Sequence, residues 1–344
     1  MLSNETLQSM EIIEVKQSEL KKITLFLIEK KIILHPKISP DGRPDFTGYE
    51  NSRVEIILDR NIFVYLLSLL ENGRLNDDYK RTVISSLIFW IEFNNFSLTT
   101  GIALAEYADF NNDNSSANQE HNIFNKLFVN YTPKDWLDLA VGRRKTINKV
   151  NYKLETETNF HIESSHFKMH YLEMLKLAQL FYNEEISIIK KYNLFFEWIY
   201  QNIIICRYTT CLSAKILSGR SKVFNLKKIN FKELNKICSN QAWDLTYLSI
   251  WSTFYWYEKQ EEKIYLFATA DNELKEIFLL TNMYPEKIFL NYFGKNTGKQ
   301  IEQIMKKNYL PRAKKEISDN TLNELIDIER NKLENQINIK YGCL

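Results

Sequence analysis

Two short apolar runs constrain this chain more than any other feature of its sequence. Val54–Leu58 reads VEIIL and Ile264–Thr269 reads IYLFAT, both rich in β-branched and aromatic residues. Near-continuous apolarity of this kind suits strands covered on both faces of a parallel sheet, whereas half-solvated strands alternate. Each run leads into apolar residues at helical spacing, over Asn61–Leu70 and Asn272–Leu280. A strand feeding a helix, met twice, predicts an α/β fold: a central parallel sheet flanked by helices.

The remaining texture divides the chain. Residues 1–51 hold one helical stretch, Ser18–Lys31, and a polar loop, HPKISPDGRPDFTG. Residues 52–110 and 223–298 form the expected α/β core. It adds a helix over Asp78–Phe93, a strand over Phe96–Thr99 and a helix over Gly101–Tyr107. Val223–Leu226 and Lys287–Leu290 are further strand candidates, and a long helix is expected from Phe231 through Trp256. Residues 111–222 open with a polar linker, NNDNSSANQEHN, and continue as amphipathic stretches over His166–Tyr182, Glu184–Tyr200 and Ile203–Leu217. That block reads as a mostly helical insertion, and residues 299–344 as a charged, helical C-terminal tail.

Charge and composition exclude several classes. With 45 basic and 43 acidic residues the formal charge is +2, too small for whole-molecule attraction to a polyanion. Nucleic-acid binding would need locally segregated charge. Four cysteines without a C-x-x-C pair read as reduced thiols, so a cytoplasmic location is expected. The N-terminal residues lack a basic start followed by an apolar run, so no signal peptide is expected. The most apolar stretches, Ile203–Cys206 and Ile277–Leu280, are far too short for a bilayer, so no membrane partner is expected. No P-loop and no G-x-G-x-x-G occurs among only nine glycines, which argues against a nucleotide-hydrolysing engine. Serine hydrolysis lacks its G-x-S-x-G elbow.

The candidate chemistry lies in four carboxylates. Asp59 follows the first strand directly, and Asp271 closely follows the second. Ligand crevices of open α/β sheets lie outside the carboxyl ends of the strands, so both are expected in one crevice. Glu106 shares a helix face with Ile102 and Ala103, and Asp244 with Tyr247 and Leu248. A carboxylate on an apolar face is costly unless paired or bound to a cation, and a divalent metal would relieve four of them converging. The plainer reading makes Asp59 a turn residue, Asp244 and Asp271 helix caps and Glu106 a solvated side chain.

The segments VEIILDRNIFVYLL, TTGIALAEYA, QAWDLTYLSIW and IYLFATADNEL resemble the four signature segments of PIN-domain nucleases. The likeness covers residues 52–110 and 223–292. It departs from compact members in the long interval between Glu106 and Asp244, where the helical insertion falls. The resemblance implies a PIN-like, metal-dependent endoribonuclease with Asp59, Glu106, Asp244 and Asp271 as catalytic and metal-binding residues and Mg²⁺ or Mn²⁺ as cofactor. Asn61 and Thr269 match its accessory polar positions. It further implies 5′-phosphate and 3′-hydroxyl products, RNA rather than DNA as substrate, and a toxin or defence role restrained by a protein partner. A catalytically silent protein-binding scaffold and a flap-endonuclease-like DNA nuclease are the alternatives.

Basic residues that would contact nucleic acid cluster at Arg143, Arg144, Lys145, Lys149 and Lys153, and at Lys215, Arg220, Lys222, Lys227 and Lys228. Trp243, Trp251, Tyr255 and Trp256 form a helical stripe that reads chiefly as core. His166 and His170 stand at zinc-compatible spacing, with His161 and Glu163 upstream, but without the H-E-x-x-H glutamate.

Overall fold

The computed structural model describes residues 14–150, 157–162, 164–226, 229–308 and 317–341. The chain forms two compact units. Residues 1–161 and 258–270 make the first, and residues 162–257 and 271–344 the second.

The first unit opens with α1 (Gln17–Glu29), β1 (Ile33–Leu34), β2 (Arg53–Leu58), α2 (Arg60–Asn72) and α3 (Asp78–Phe93). It continues with β3 (Ser97–Thr99), α4 (Gly101–Asn111), α5 (Asn114–Asn125), α6 (Leu127–Asn130) and α7 (Pro133–Ala140). The chain then builds α8 (Ser165–Tyr182), α9 (Ile188–Asn202), α10 (Arg207–Leu217) and α11 (Phe231–Glu261), whose last turn belongs to the first unit. Next, β4 (Lys263–Ala268) completes the sheet, and α12 (Asn272–Met283), a 3-10 turn (Pro285–Lys287), α13 (Ile288–Asn308) and α14 (Asp319–Tyr341) complete the second unit.

The sheet is a small, open, mixed one of order β1-β4-β2-β3. The parallel expectation holds for β2, β3 and β4; the short edge strand β1 runs antiparallel to β4. The parallel register sets Leu58 of β2 against Ala268 of β4 and Ile57 against Thr99 of β3. Ile56, Leu58, Ile264, Leu266 and Ala268 are buried and share a core with Phe63, Leu66 and Leu70 of α2 and Val83, Leu87 and Ile91 of α3. Ile57, Tyr265 and Phe267, which alternate onto the opposite face, are buried as well, so both faces are covered as the apolar runs demand.

Three local expectations fail. The polar stretch after residue 110 is helix α5, not a linker. Asp113 caps it by accepting the Ser116 N–H at 3.0 Å. Asn118 then exchanges two hydrogen bonds with the Thr158 backbone, at 2.8 and 2.9 Å, so its amide serves as a packing group. Val223–Leu226 forms a turn instead of a strand, anchored by buried Phe224, whose carbonyl accepts from the Tyr182 hydroxyl at 2.6 Å. Lys287–Leu290 runs from the 3-10 turn into α13. Pro285 suits a helical start, and Ile288, Phe289 and Tyr292 bury one helix face.

Within the second unit the charged C-terminal segment is packed rather than appended. Gln179 of α8 donates from Nε2 to the Glu329 carboxylate at 2.9 Å, and Gln336 of α14 donates to the Gln179 carbonyl at 3.0 Å. Glu329 is buried and paired with Lys332 at 2.7 Å and Lys176 at 3.6 Å. Those ammonium groups and the Gln179 amide hold its carboxyl below the usual range, against the opposing effect of burial.

Candidate functional site

Because β2, β3 and β4 are parallel, their last residues lie along one edge of the sheet, where α/β proteins bind ligands. There the chain leaves β2 through Asp59 into α2. The Asp59 backbone is extended (φ −72°, ψ 162°), as a helix-capping residue requires, and its Oδ1 accepts the Ile62 N–H at 3.0 Å. Its own N–H donates to the Ala268 carbonyl at 3.0 Å, tying the end of β2 to the end of β4. Thr269, the next residue along β4, donates its hydroxyl to Asp59 Oδ2 in a short contact. Both side chains are buried, Asp59 to 1% exposure and Thr269 to 0%. A carboxylate withdrawn from water this far is costly, and the hydroxyl and backbone donors offset part of the cost.

Asp59 sits beside helix α4, which carries Glu106. The residue after Asp59, Arg60, donates Nη1 to the Ala103 carbonyl at 3.4 Å and lays its guanidinium 4.4 Å from the Tyr107 ring centroid. Its two terminal nitrogens meet both Glu120 oxygens, at 2.5 and 2.7 Å. Arg60 thereby fixes the start of α2 against α4 on either side of Glu106 in sequence, and against α5. Glu106 is half-buried on a helix whose neighbours Ala103, Leu104, Ala105 and Ala108 are buried. Asn61 lies exposed in the first turn of α2.

The second unit carries the other two carboxylates. Asp271 caps α12 and accepts the Glu273 and Leu274 N–H groups at 2.6 and 3.0 Å. The capping expectation for Asp244 is corrected: it sits in the interior of α11, half-buried, and accepts from Gln241 Nε2 at 2.9 Å. Leu234, Cys238 and Ala242 keep the helical apolar spacing upstream of it, so the helix begins at Phe231. Among the described residues no group of three or more His, Cys, Asp or Glu side chains is arranged to hold a metal ion.

The basic clusters divide by chemistry. Arg143 pairs with Glu19 and Asp138, and Arg144 with Asp135 at 2.5 Å, so both bind their own fold. Lys145 and Lys149 are exposed. In the second unit Lys215 is paired with Glu273 and Glu276, whereas Arg220 and Lys222 are exposed. Lys153, Lys227, Lys228 and Glu163 lie outside the described residues. Trp243 and Trp251 are core residues, while Trp256 is 75% exposed. The zinc reading loses its central ligand, because both ring nitrogens of His170 are hydrogen-bonded to protein groups. His161 instead pairs with Asp109 at 2.8 Å.

Two buried polar sets went unread in the sequence. In the first unit His35 Nδ1 accepts the Lys37 N–H at 3.0 Å. The proton therefore sits on Nε2, which donates to Glu258 Oε1 at 2.8 Å. The same oxygen accepts the Tyr265 N–H at 2.7 Å, so a buried glutamate joins the end of α11 to β4. Nothing in the charged run around Glu258 marks it as buried. In the second unit His170 and Glu173 meet Thr209 and Ser249. Their spacing of three along α8 was the available signal. Comparisons with family models, with curated proteins and with solved structures find no match to this chain.

Proposed function

We propose that this protein is a metal-dependent nuclease of the PIN-like type, acting on RNA, with Asp59 as its central carboxylate. One observation carries the reading: a buried aspartate directly after the middle parallel strand, held by the hydroxyl of the residue that follows the neighbouring strand. A helix cap needs only the Ile62 N–H and is normally made at the surface. Burial with a threonine hydroxyl on the second oxygen is the arrangement expected of a metal-binding carboxylate fixed by an outer partner.

The donor set fits the cofactor the resemblance implies. Mg²⁺ and Mn²⁺ take hard oxygen ligands, and Mg²⁺ commonly uses one or two carboxylates plus waters and substrate phosphates rather than a protein cage. Asp59 would hold the ion, and Glu106, carried by the helix that Arg60 fixes, would orient water near it. When bound, the ion supplies Lewis-acid stabilisation of charge on the scissile phosphate. Thr269 keeps the Asp59 carboxylate in one orientation, and Arg60 holds α4 in place.

The test is cleavage of structured and single-stranded RNA in Mn²⁺. EDTA is expected to abolish cleavage, and Thr269→Val to reduce it about 10–100-fold. Asp59→Asn separates the two roles of the aspartate, because asparagine caps a helix as well as aspartate does. It is expected to keep the fold and lose activity. Cleavage surviving in EDTA or in this variant overturns the mechanism. Asp244→Asn and Asp271→Asn, in the same assay, test the roles the resemblance gives those residues. The absence of a preassembled ligand group among the described residues favours the silent scaffold as the second reading. It gains if the pure protein binds RNA or protein without cutting.

A further inference from the structure

Helices α8, α10 and α11 bring together, inside the second unit, a set of side chains that the nuclease reading does not use. Glu173, Thr209 and His170 are buried to 0%, 0% and 3% exposure, while Ser249 and Cys206 are half-buried. For an ionised Glu173 and a neutral His170, the hydrogen bonds set where the protons lie. An ionised carboxylate only accepts, so the Thr209 hydroxyl donates to Glu173 Oε2, and so does His170 Nδ1–H, at 2.9 Å. With the ring proton on Nδ1, the neutral imidazole keeps its lone pair on Nε2. That nitrogen lies 2.7 Å from Ser249 Oγ, whose hydroxyl must therefore donate to it. Hydroxyl, base and base-orienting carboxylate stand in the order and reach of a serine nucleophile's relay, which is recognised by geometry and not by sequence position.

Two further observations raise this above an ordinary buried network. The second oxygen of Glu173, Oε1, is buried without a hydrogen-bond partner. An under-satisfied buried carboxylate is costly, and the cost falls when the imidazole beside it takes up a proton. The set therefore stabilises the state produced when Ser249 loses its proton. Beside Ser249, at 3.7 Å, lies the Cys206 sulfur, at the open start of α10. Burial, and then the nearby Glu173, push this thiol up to about 11, so it stays protonated at neutral pH. The Tyr208 and Thr209 backbone N–H groups of the first turn of α10 approach the same sulfur. Ser249 lies in the interior of α11, whose own N–H groups serve the helix.

We propose that Ser249 is a base-activated nucleophile that accepts an acyl group from a carboxylic ester, with His170 as its base and Glu173 as the positioning residue. Ser249 Oγ bonds to the carbonyl carbon as its proton passes to His170 Nε2. Collapse breaks the bond to the alkoxy group, which leaves as the alcohol with that proton. Water then attacks the acyl carbon and gives a proton to Nε2. The Ser249 oxygen leaves, recovers that proton, and releases the carboxylic acid. Only residues of the second unit take part, so the proposal stands apart from the nuclease reading.

The experiment treats the full chain with an alkyl fluorophosphonate, which exchanges its P–F bond for a P–O bond to an activated serine, and separately with p-nitrophenyl acetate. Peptide mass spectrometry is expected to find the adduct on Ser249, and Ser249→Ala to abolish it. His170→Gln is expected to slow labelling and ester cleavage by about 10²–10⁴-fold, the usual contribution of a positioned base. Glu173→Gln is expected to slow both and to displace the pH profile of labelling, which a purely structural carboxylate would leave in place. The groups facing His170 in that profile are Glu173, Thr209, Ser249 and His166, the last held below its usual range by burial and then by His170 itself. Comparison of the native wild type with the urea-unfolded wild type needs no variant. If Ser249 labels no faster in the native protein than when unfolded, or if folded His170→Gln labels undiminished, the proposal is overturned.

Discussion

Glu92 offers the sharpest test of how this fold handles charge. It lies in the last turn of α3, next to α7, and both of its carboxyl oxygens are buried without hydrogen-bond partners. Burial, and more weakly the Asp135 charge on α7, raise its pKa from 4.5 to about 8, although the Trp136 indole opposes the shift. Glu92 therefore binds a proton in the folded chain over a pH range in which the unfolded chain has lost it. A folded pKa above the unfolded one gives stability that is complete below pH 4.5 and is lost as pH rises through 8. At about 1.4 kcal/mol per unit, the full displacement corresponds to about 5 kcal/mol. Relaxation of the site and water penetration reduce the measurable part to about 2–3 kcal/mol.

Glu92→Gln removes the titration while keeping the shape. The stability difference between variant and wild type is expected to grow in the variant's favour by about 2–3 kcal/mol between pH 5 and pH 9. Whatever constant cost the amide carries cancels in that difference. Hydrogen exchange of the α3 amides in increasing urea reports the first unit specifically and measures the change. An infrared band from a protonated carboxyl group at pH 6.5, absent in the variant, is the independent check. A difference that stays level within about 0.5 kcal/mol from pH 5 to pH 9 would refute the reasoning.

Three other substitutions probe other physics. Gly73 ends α2 with φ 69°, and a Cβ there would stand 2.6 Å from the Ile147 carbonyl oxygen, so Gly73→Ala is expected to lower stability by about 1–3 kcal/mol in urea unfolding. The Tyr192 hydroxyl is fully buried without a partner, so Tyr192→Phe is expected to be neutral or to stabilise by up to about 1 kcal/mol; a loss of about 2 kcal/mol would show a bond that the geometry lacks. Arg60 and Glu120 are 16% and 18% exposed, and Arg60→Ala is expected to cost about 2–4 kcal/mol by leaving the glutamate without its partner, readable as a fall in melting temperature.

The sheet was legible where sequence and burial pull the same way. VEIIL and IYLFAT became β2 and β4 because both faces are covered, and Asp78–Phe93 became a helix with the expected bounds. Legibility failed where a side chain does unusual work. Asn114 and Asn118 look like loop residues, yet their amides bind the backbone at Thr158 and Phe160 and hold α5 in place. Val223–Leu226 looks like a strand, but Phe224 is buried in a turn against Tyr182. β1 consists of only two residues, too short for any periodic signal.

The candidate sites follow the same division, for a reason rooted in chain distance. Asp59 and Thr269 lie far apart in sequence, but each adjoins an apolar run, and adjacent parallel strands bring their ends together wherever those runs pair. A residue fixed to a strand end inherits its position from the sheet, so it can be found from the sequence. Ser249 has no such marker. It lies in the interior of a long helix among Leu248, Ile250 and Trp251, and only the packing of α8 and α10 against its face brings His170 and Cys206 within reach. A nucleophile's relay built from three helix faces leaves no short motif: its spacing in sequence is set by helix and loop lengths, which the chemistry does not constrain. The missing G-x-S-x-G elbow rules out one way of positioning a serine and says nothing about a half-buried serine on a helix face.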